Sequence, residues 1–97
     1  MRVVWTARAL TRIEEISDYV AGDDPGAAER LIERILRRGD SLADFAGRGR
    51  RLPEAPRAPF REVAEGWYRI IYRVRGDVVQ IMSVVQGRRR LRTEDLR

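Results

Sequence analysis

The sequence contains no cysteine, no histidine and no lysine among its 97 residues. Disulfides, thiolate metal sites and cysteine nucleophiles are therefore excluded, as are the usual acid/base group near neutral pH and the commonest metal ligand. The lack of lysine also excludes Schiff-base chemistry and the lysine of phosphate-binding loops. Any catalysis would depend on Arg, Tyr, Asp, Glu, Ser or Thr, and we expect neither a metal nor a cofactor.

Long hydrophobic runs are absent as well. No apolar run approaches the ~20 residues of a membrane span, and the N-terminus lacks the hydrophobic segment of a signal peptide. We therefore expect a cytoplasmic protein without membrane contacts. The chain length allows one hydrophobic core, which predicts a single domain over residues 1–97.

Positive charge is abundant but unevenly distributed. All 20 basic residues are arginine, and the net charge is −2 over residues 1–47 and +7 over residues 48–97. Such a concentration of one sign favours an anionic partner. The sequence has no glycine-rich phosphate loop, no basic recognition helix and no aromatic array typical of single-strand binding. A nucleic-acid-binding module without a protein target stays open as a competing interpretation of the basic charge.

The first half of the chain predicts a strand and two helices. After a β-prone opening at Arg2–Trp5, Thr6 caps a helix over about Ala7–Ala21. Asp24 and Pro25 begin a second helix that continues to about Ala46, with a possible bend at Gly39. The short connection predicts an antiparallel helical hairpin. Its apolar stripes comprise Leu10, Ile13, Ile16 and Val20 in the first helix and Ala28, Leu31, Ile32, Ile35, Leu36, Leu42 and Phe45 in the second.

The second half predicts a loop and a β-meander. Residues 47–59 contain three prolines and have no period, whereas 60–65, 67–74 and 78–85 are β-type segments separated by glycine-containing turns. The fold class is therefore α+β: an N-terminal strand and a helical hairpin packed on a mostly antiparallel sheet.

The middle strand of the meander predicts two unlike faces. Tyr68, Ile70, Tyr72 and Val74 alternate toward the helices. Trp67, Arg69, Ile71 and Arg73 then form an exposed face that is cationic and partly apolar, which favours a partner contact. The candidate partner-binding residues are Arg61, Trp67, Arg69, Arg73, Arg88, Arg89 and Arg90.

Several stretches occur in a recognisable order and spacing. They are Trp5 with Ala9-Leu10, Asp24-Pro25 with Ala27-Ala28, Gly49-Arg50 leading to Pro53-Glu54, Phe60-Arg61-Glu62, Tyr68 to Val74, and Gly87-Arg88-Arg89. In this order they resemble the RelE/ParE superfamily of toxins from type II toxin–antitoxin pairs, and most closely its ParE branch. The resemblance implies blockade of DNA gyrase, a role in plasmid stabilisation and neutralisation by a ParD-type ribbon-helix-helix antitoxin. DNA would be reached only through gyrase or the antitoxin.

Two alternatives stay open: a RelE-like, ribosome-dependent mRNA endoribonuclease, and a detoxified relative that only binds its antitoxin. By resemblance, Arg69 and an arginine of Gly87-Arg88-Arg89 match the nuclease pattern. The nuclease lysines fall at about Phe60 and Glu62, and no tyrosine or histidine follows Tyr72. Since arginine is a poor general base, the pattern favours binding over catalysis. Gln86 also replaces a histidine that is frequent in the ParE branch.

Overall fold

Two helices and five strands make up the fold. A computed structural model describes residues 1–97. Two short 3₁₀ turns, at Ser41–Ala43 and Thr93–Leu96, accompany the helices and strands. The elements in chain order are β1 (Arg2–Trp5), α1 (Ala7–Ala21), α2 (Pro25–Asp40), β2 (Arg50–Arg51), β3 (Arg61–Glu65), β4 (Tyr68–Arg75) and β5 (Val78–Gln86).

Both helices begin at side-chain caps, as the sequence predicts. The Thr6 hydroxyl accepts a hydrogen bond from the Ala9 amide, and the Asp24 carboxylate accepts one from the Ala27 amide, each at 3.1 Å. These contacts satisfy amides that have no partner inside the helix. Neither helix combines the length and hydrophobicity needed to cross a membrane.

The predicted end of the second helix is wrong. It ends at Asp40 and not near Ala46, and Phe45 is exposed. Gly39 lies within α2 and makes room for β1, because a Cβ atom there would clash with Cζ2 of Trp5. The Trp5 indole also donates a hydrogen bond to Asp40 at 2.9 Å. Gly39 therefore serves close packing between α2 and β1.

The strands form one mixed sheet in the order β1-β5-β4-β3-β2. β1 runs parallel to β5 at one edge, and the remaining pairs are antiparallel. Gly66 and Gly76 lie in the two-residue hairpin loops with φ of 58° and 59°, a region that favours glycine. The predicted α+β class is confirmed, with β2 as an additional strand taken from the segment expected to be a loop.

A first core lies between the helical hairpin and the sheet. The apolar stripe predicts Leu10 in it, but Leu10 is exposed, whereas Ala9 and Arg12 take buried positions on α1. Tyr72 is fully buried there, and its hydroxyl donates to the Ala46 carbonyl at 2.7 Å. The other buried apolar residues of this core are Ile13, Ile16, Ile35, Leu42, Val63, Ile70, Val79, Ile81 and Val84.

The opposite face of the sheet is not the exposed face that alternation predicts. Arg69 and Ile71 are buried on it, so the expectation is wrong for both residues. The segment after β2 and the C-terminal residues fold over this face and enclose a second core. That core consists of Leu52, Phe60, Ile71, Met82 and Val85, with Ala58, Leu91 and Leu96 packed against it.

Candidate partner-binding site

Arg69 lies at the centre of an ion-pair network on the outer face of the sheet. It is only 8% exposed. Its two terminal nitrogens each donate to Glu54 at 2.8 Å, and its Nε donates to Glu62 at 3.0 Å. Arg50 completes the network through Nη2, which lies 3.1 Å from Glu62. The guanidinium that the sequence assigned to a partner is therefore already bound within the chain.

The pKa values of the network follow from these contacts. The hydrogen bonds from Arg69 hold the pKa of Glu54 below its usual value, and those to Glu54 and Glu62 raise the pKa of Arg69 against the effect of burial. A cleft of about 380 Å³ opens beside these groups. Because two carboxylates neutralise Arg69, that cleft offers no free cation from the sheet centre for a phosphate.

Arg61 and Arg73 are half-buried and make internal contacts. Arg61 donates to the Gly49 carbonyl at 2.8 Å, which ties β3 to the start of β2. Arg73 donates to Gln80 at 2.8 Å, and its guanidinium lies 5.8 Å from the ring centre of Phe60. Both residues therefore support the sheet, and neither joins the other predicted site residues.

Trp67 and Arg88–Arg90 are brought together at one end of the sheet. The Trp67 side chain is 75% exposed in the turn between β3 and β4. Its carbonyl accepts a hydrogen bond from the Gly87 amide at 2.6 Å, so the backbone segment that carries the three arginines begins next to this turn. Arg88 and Arg90 are exposed, Arg89 is half-buried, and their side chains make no hydrogen bond or salt bridge within the chain. We call Trp67 and Arg88–Arg90 the exposed corner.

A groove of about 180 Å³ extends from the exposed corner along α1. Arg89 lies at one end of it, and Tyr19, which is 81% exposed, lies on the helix. Tryptophan, tyrosine and arginine are the residue types that dominate binding energy in protein interfaces. The corner and groove are therefore suited to hold a protein partner. The groove is lined by Arg12, Glu15, Ile16, Tyr19, Tyr68, Gln86 and Arg89.

The C-terminal segment is fixed just beyond the exposed corner by Asp95, which sequence reasoning missed. Asp95 is fully buried and accepts hydrogen bonds from the Ser83 hydroxyl at 2.8 Å and from the Arg92 amide at 3.0 Å. Burial acts to raise the pKa of Asp95, but these hydrogen bonds and the charges of Arg8 and Arg12 hold it below its usual value. No periodic pattern predicts that Asp95 is buried. The one signal in the sequence is that Asp95 lies in a short segment that also contains the apolar residues Leu91 and Leu96.

Glu54 and Glu62 were also missed as partners of Arg69. Glu62 pairs with Arg69 across the β3–β4 hairpin, and Glu54 reaches it from the segment between β2 and β3.

The structure contains no group of three or more carboxylates able to hold a metal ion. The charged groups in the exposed corner are guanidiniums, which bind anions through charge-assisted hydrogen bonds.

Two helices packed on a five-stranded mixed sheet are the α+β arrangement expected from the resemblance to the RelE/ParE superfamily. A solved structure described as the "Chromosomal ParDE TA system from P. aeruginosa" has the same fold, with a TM-score of 0.75. The two chains are 26% identical, and the match covers 89% of this chain and 95% of that one.

Sequence comparison identifies the family within this superfamily. Residues 3–91 match the family described as "ParE toxin of type II toxin-antitoxin system, parDE", and the chain belongs to this family. A Sinorhizobium fredii protein named "Putative toxin Y4kP" is 36% identical over 88 residues, which are 89% of this chain and 88% of that protein. "Toxin RelE2" of Caulobacter vibrioides is 45% identical over 49 residues, which are 50% of this chain and 56% of that protein.

Proposed function

We propose that this ParE-family toxin inhibits DNA gyrase by protein–protein blockade, and that a ParD-type antitoxin neutralises it. The exposed corner would contact an acidic or DNA-bearing surface of gyrase and hold the enzyme in a non-productive state. The antitoxin, a ribbon-helix-helix protein, would cover an overlapping surface.

One observation carries this proposal: the exposed corner joins an exposed tryptophan to three arginines that have no carboxylate partner. Unpaired guanidiniums beside an aromatic ring can form charge-assisted hydrogen bonds to carboxylates while the ring is buried against apolar surface. Self-repulsion among Arg88, Arg89 and Arg90 favours an anionic partner that relieves it.

The ion-pair network supports blockade over RNA cleavage. Cleavage of RNA needs a base for the 2′-hydroxyl and free cations for the phosphate in the transition state. Arg69, which matches the nuclease pattern, is held by Glu54 and Glu62, and Glu62 stands where a nuclease lysine is expected by resemblance. The network of two arginines and two glutamates carries no net charge, so it offers a phosphate no net attraction.

The antitoxin part of the proposal is supported by the family description and by the similarity to a structure described as a ParDE system. The groove along α1 and the edge strand β1 offer a helix and a strand of a partner two places to bind. Tyr19 would be covered in such a complex.

Two assays on the purified protein test the proposal: supercoiling of relaxed plasmid by gyrase, and cleavage of mRNA in a translating extract. We expect loss of supercoiling with intact mRNA. Cut mRNA with normal supercoiling would contradict the proposal and favour the ribonuclease. If neither reaction is affected while an antitoxin still binds, the chain is a detoxified relative and the gyrase proposal is wrong.

A further inference from the structure

A second basic surface lies between the end of α2 and the end of β3. A cleft of about 370 Å³ is lined by four arginines, one serine and one glutamate, with no apolar residue. The arginines are Arg34, Arg37, Arg38 and Arg48, and the glutamate is Glu65. The lining therefore carries a net charge of +3.

The guanidiniums of this cleft are poorly neutralised. Arg34 approaches Glu65 only to 3.8 Å, and Arg37 pairs with Glu33 on the exposed side of the helix. Arg38 donates its Nε to the Ala64 carbonyl at 3.2 Å, which fixes the side chain and leaves its terminal nitrogens without a carboxylate.

Helix electrostatics explains only part of the cluster. Positive residues in the last turn stabilise a helix because they lie near its negative end, and Arg37 and Arg38 occupy that turn of α2. Arg48 comes from the loop after the helix, where its guanidinium lies 4.7 Å from the ring centre of Phe45. The helix dipole does not account for a loop arginine, so a further reason is needed.

The positive surface continues onto the edge of the sheet. Arg51 and Arg61 lie directly opposite each other on β2 and β3, so their side chains leave the same face of the sheet. Like charges in this position destabilise a strand pair unless an anion relieves them. Burial raises the pKa of Tyr72, and the charges of Arg61, Arg38 and Arg48 act against this rise, consistent with all three lying on the helix side of the sheet.

We propose that these residues bind the phosphodiester backbone of double-helical nucleic acid, independently of gyrase inhibition. The basic strip comprises Arg34, Arg37, Arg38, Arg48, Arg51 and Arg61. This proposal departs from the expectation drawn from the sequence, in which the protein reaches DNA only through gyrase or the antitoxin.

The lining of the strip decides between the possible anionic partners. An acidic peptide would need apolar anchor sites beside the charges; the cleft lining has none, and one face of the neighbouring Phe45 ring is covered by the Arg48 guanidinium. A single strand would need an aromatic ring on which to stack its bases, and the guanidinium of Arg48 lies over the ring of Phe45. A duplex backbone requires only closely spaced cations, since its affinity is dominated by neutralised phosphates.

Fluorescence anisotropy with a labelled DNA duplex of about 25 base pairs, titrated at several salt concentrations, tests the basic strip. The test variant is R48A/R51A and the control is R57A/R75A. All four arginines are exposed and make no salt bridge, so the two variants remove equal charge. We expect about tenfold weaker binding for R48A/R51A, and a salt slope reduced by about 1.8, or about 0.9 for each phosphate that is no longer neutralised. The control should retain the slope of the wild type, and circular dichroism checks that both variants fold.

Four results would overturn the proposal. The first is that the wild type does not bind the duplex, and the second is that both variants weaken binding equally. The third is that the wild type binds a single strand more tightly than the duplex. The fourth is that R48A/R51A binds the duplex like the wild type but binds a poly-glutamate peptide less well than the wild type does. None of these results bears on the gyrase assay, so the two proposals can fail separately.

Discussion

Removal of Glu62 should destabilise the protein far more than removal of a surface carboxylate with a similar ion pair. The Glu62 side chain is 5% exposed and accepts hydrogen bonds from both Arg50 and Arg69. Breaking a buried pair from one side typically costs about 3–5 kcal/mol, because the remaining charge stays buried without its partner. Arg69 keeps its bidentate contact with Glu54, so we expect about 3 kcal/mol for Glu62→Ala.

Glu33→Ala is the matched control. Glu33 accepts from Arg37 at 2.9 Å, but their side chains are 65% and 75% exposed. Solvent screening limits such a surface pair to about 0.5 kcal/mol. Urea unfolding followed by circular dichroism measures both losses; urea is preferred because guanidinium chloride is a salt and would screen the ion pairs.

A double-mutant cycle separates the pair from its surroundings. Removing Arg69 and Glu62 together leaves no buried charge in this network, and Glu54 and Arg50 can be solvated at the surface. The double variant E62A/R69A should therefore lose about 2 kcal/mol less than the sum of the single losses. Additive losses, or equal effects of Glu62→Ala and Glu33→Ala, would refute the buried network.

Three further predictions concern the packing and the C-terminal segment. Gly39→Ala should cost about 1–2 kcal/mol by urea unfolding, because the clash with Trp5 exceeds the gain in helix propensity; a more stable variant would contradict this packing. Tyr72→Phe should cost about 1–3 kcal/mol, because the Gly49 amide, which donates to the Tyr72 hydroxyl, and the Ala46 carbonyl, which accepts from it, would lose their partner. Tyr19→Phe should be neutral, since Tyr19 is exposed. The pKa of Asp95 is lowered by folding, so its contribution is complete above its unfolded pKa near 3.8 and is lost as pH falls through the lower folded value. Urea unfolding from pH 7 to pH 2 should thus show stability falling more steeply for the wild type than for Asp95→Asn, and parallel curves would exclude this role.

Local signals allowed much of the fold to be predicted. Thr6 and Asp24 stand where helix amides need acceptors, and Gly66 and Gly76 stand where two-residue hairpin loops need positive φ. Such features depend on neighbours in the chain, so a sequence pattern records them. The end of α2 was missed because the apolar spacing continues through Phe45, whereas contact with Trp5 decides how the helix packs.

The second core could not be predicted because its parts lie in irregular segments. Leu52, Phe60, Leu91 and Leu96 are single apolar residues among charged ones, and no period links them. Alternation correctly placed Arg69 on the face opposite the helices, but exposure of that face depends on what covers it.

In the candidate site, too, local features could be predicted from the sequence and long-range contacts could not. The exposed corner was predictable because its charge is local to Arg88–Arg90. Neutralisation of Arg69 was not predictable, since it depends on Glu54, which lies 15 residues away in an irregular segment.

Gyrase supercoiling in the presence of R88A/R89A/R90A tests the exposed corner most directly. The control is R2A/R57A/R75A, which removes the same charge from three exposed arginines that make no salt bridge. Because the three corner arginines make no side-chain hydrogen bonds or salt bridges, the test variant should remain folded. We expect it to lose inhibition while the control inhibits like the wild type. Full inhibition by R88A/R89A/R90A, or equal loss in both variants, would contradict the role assigned to the exposed corner.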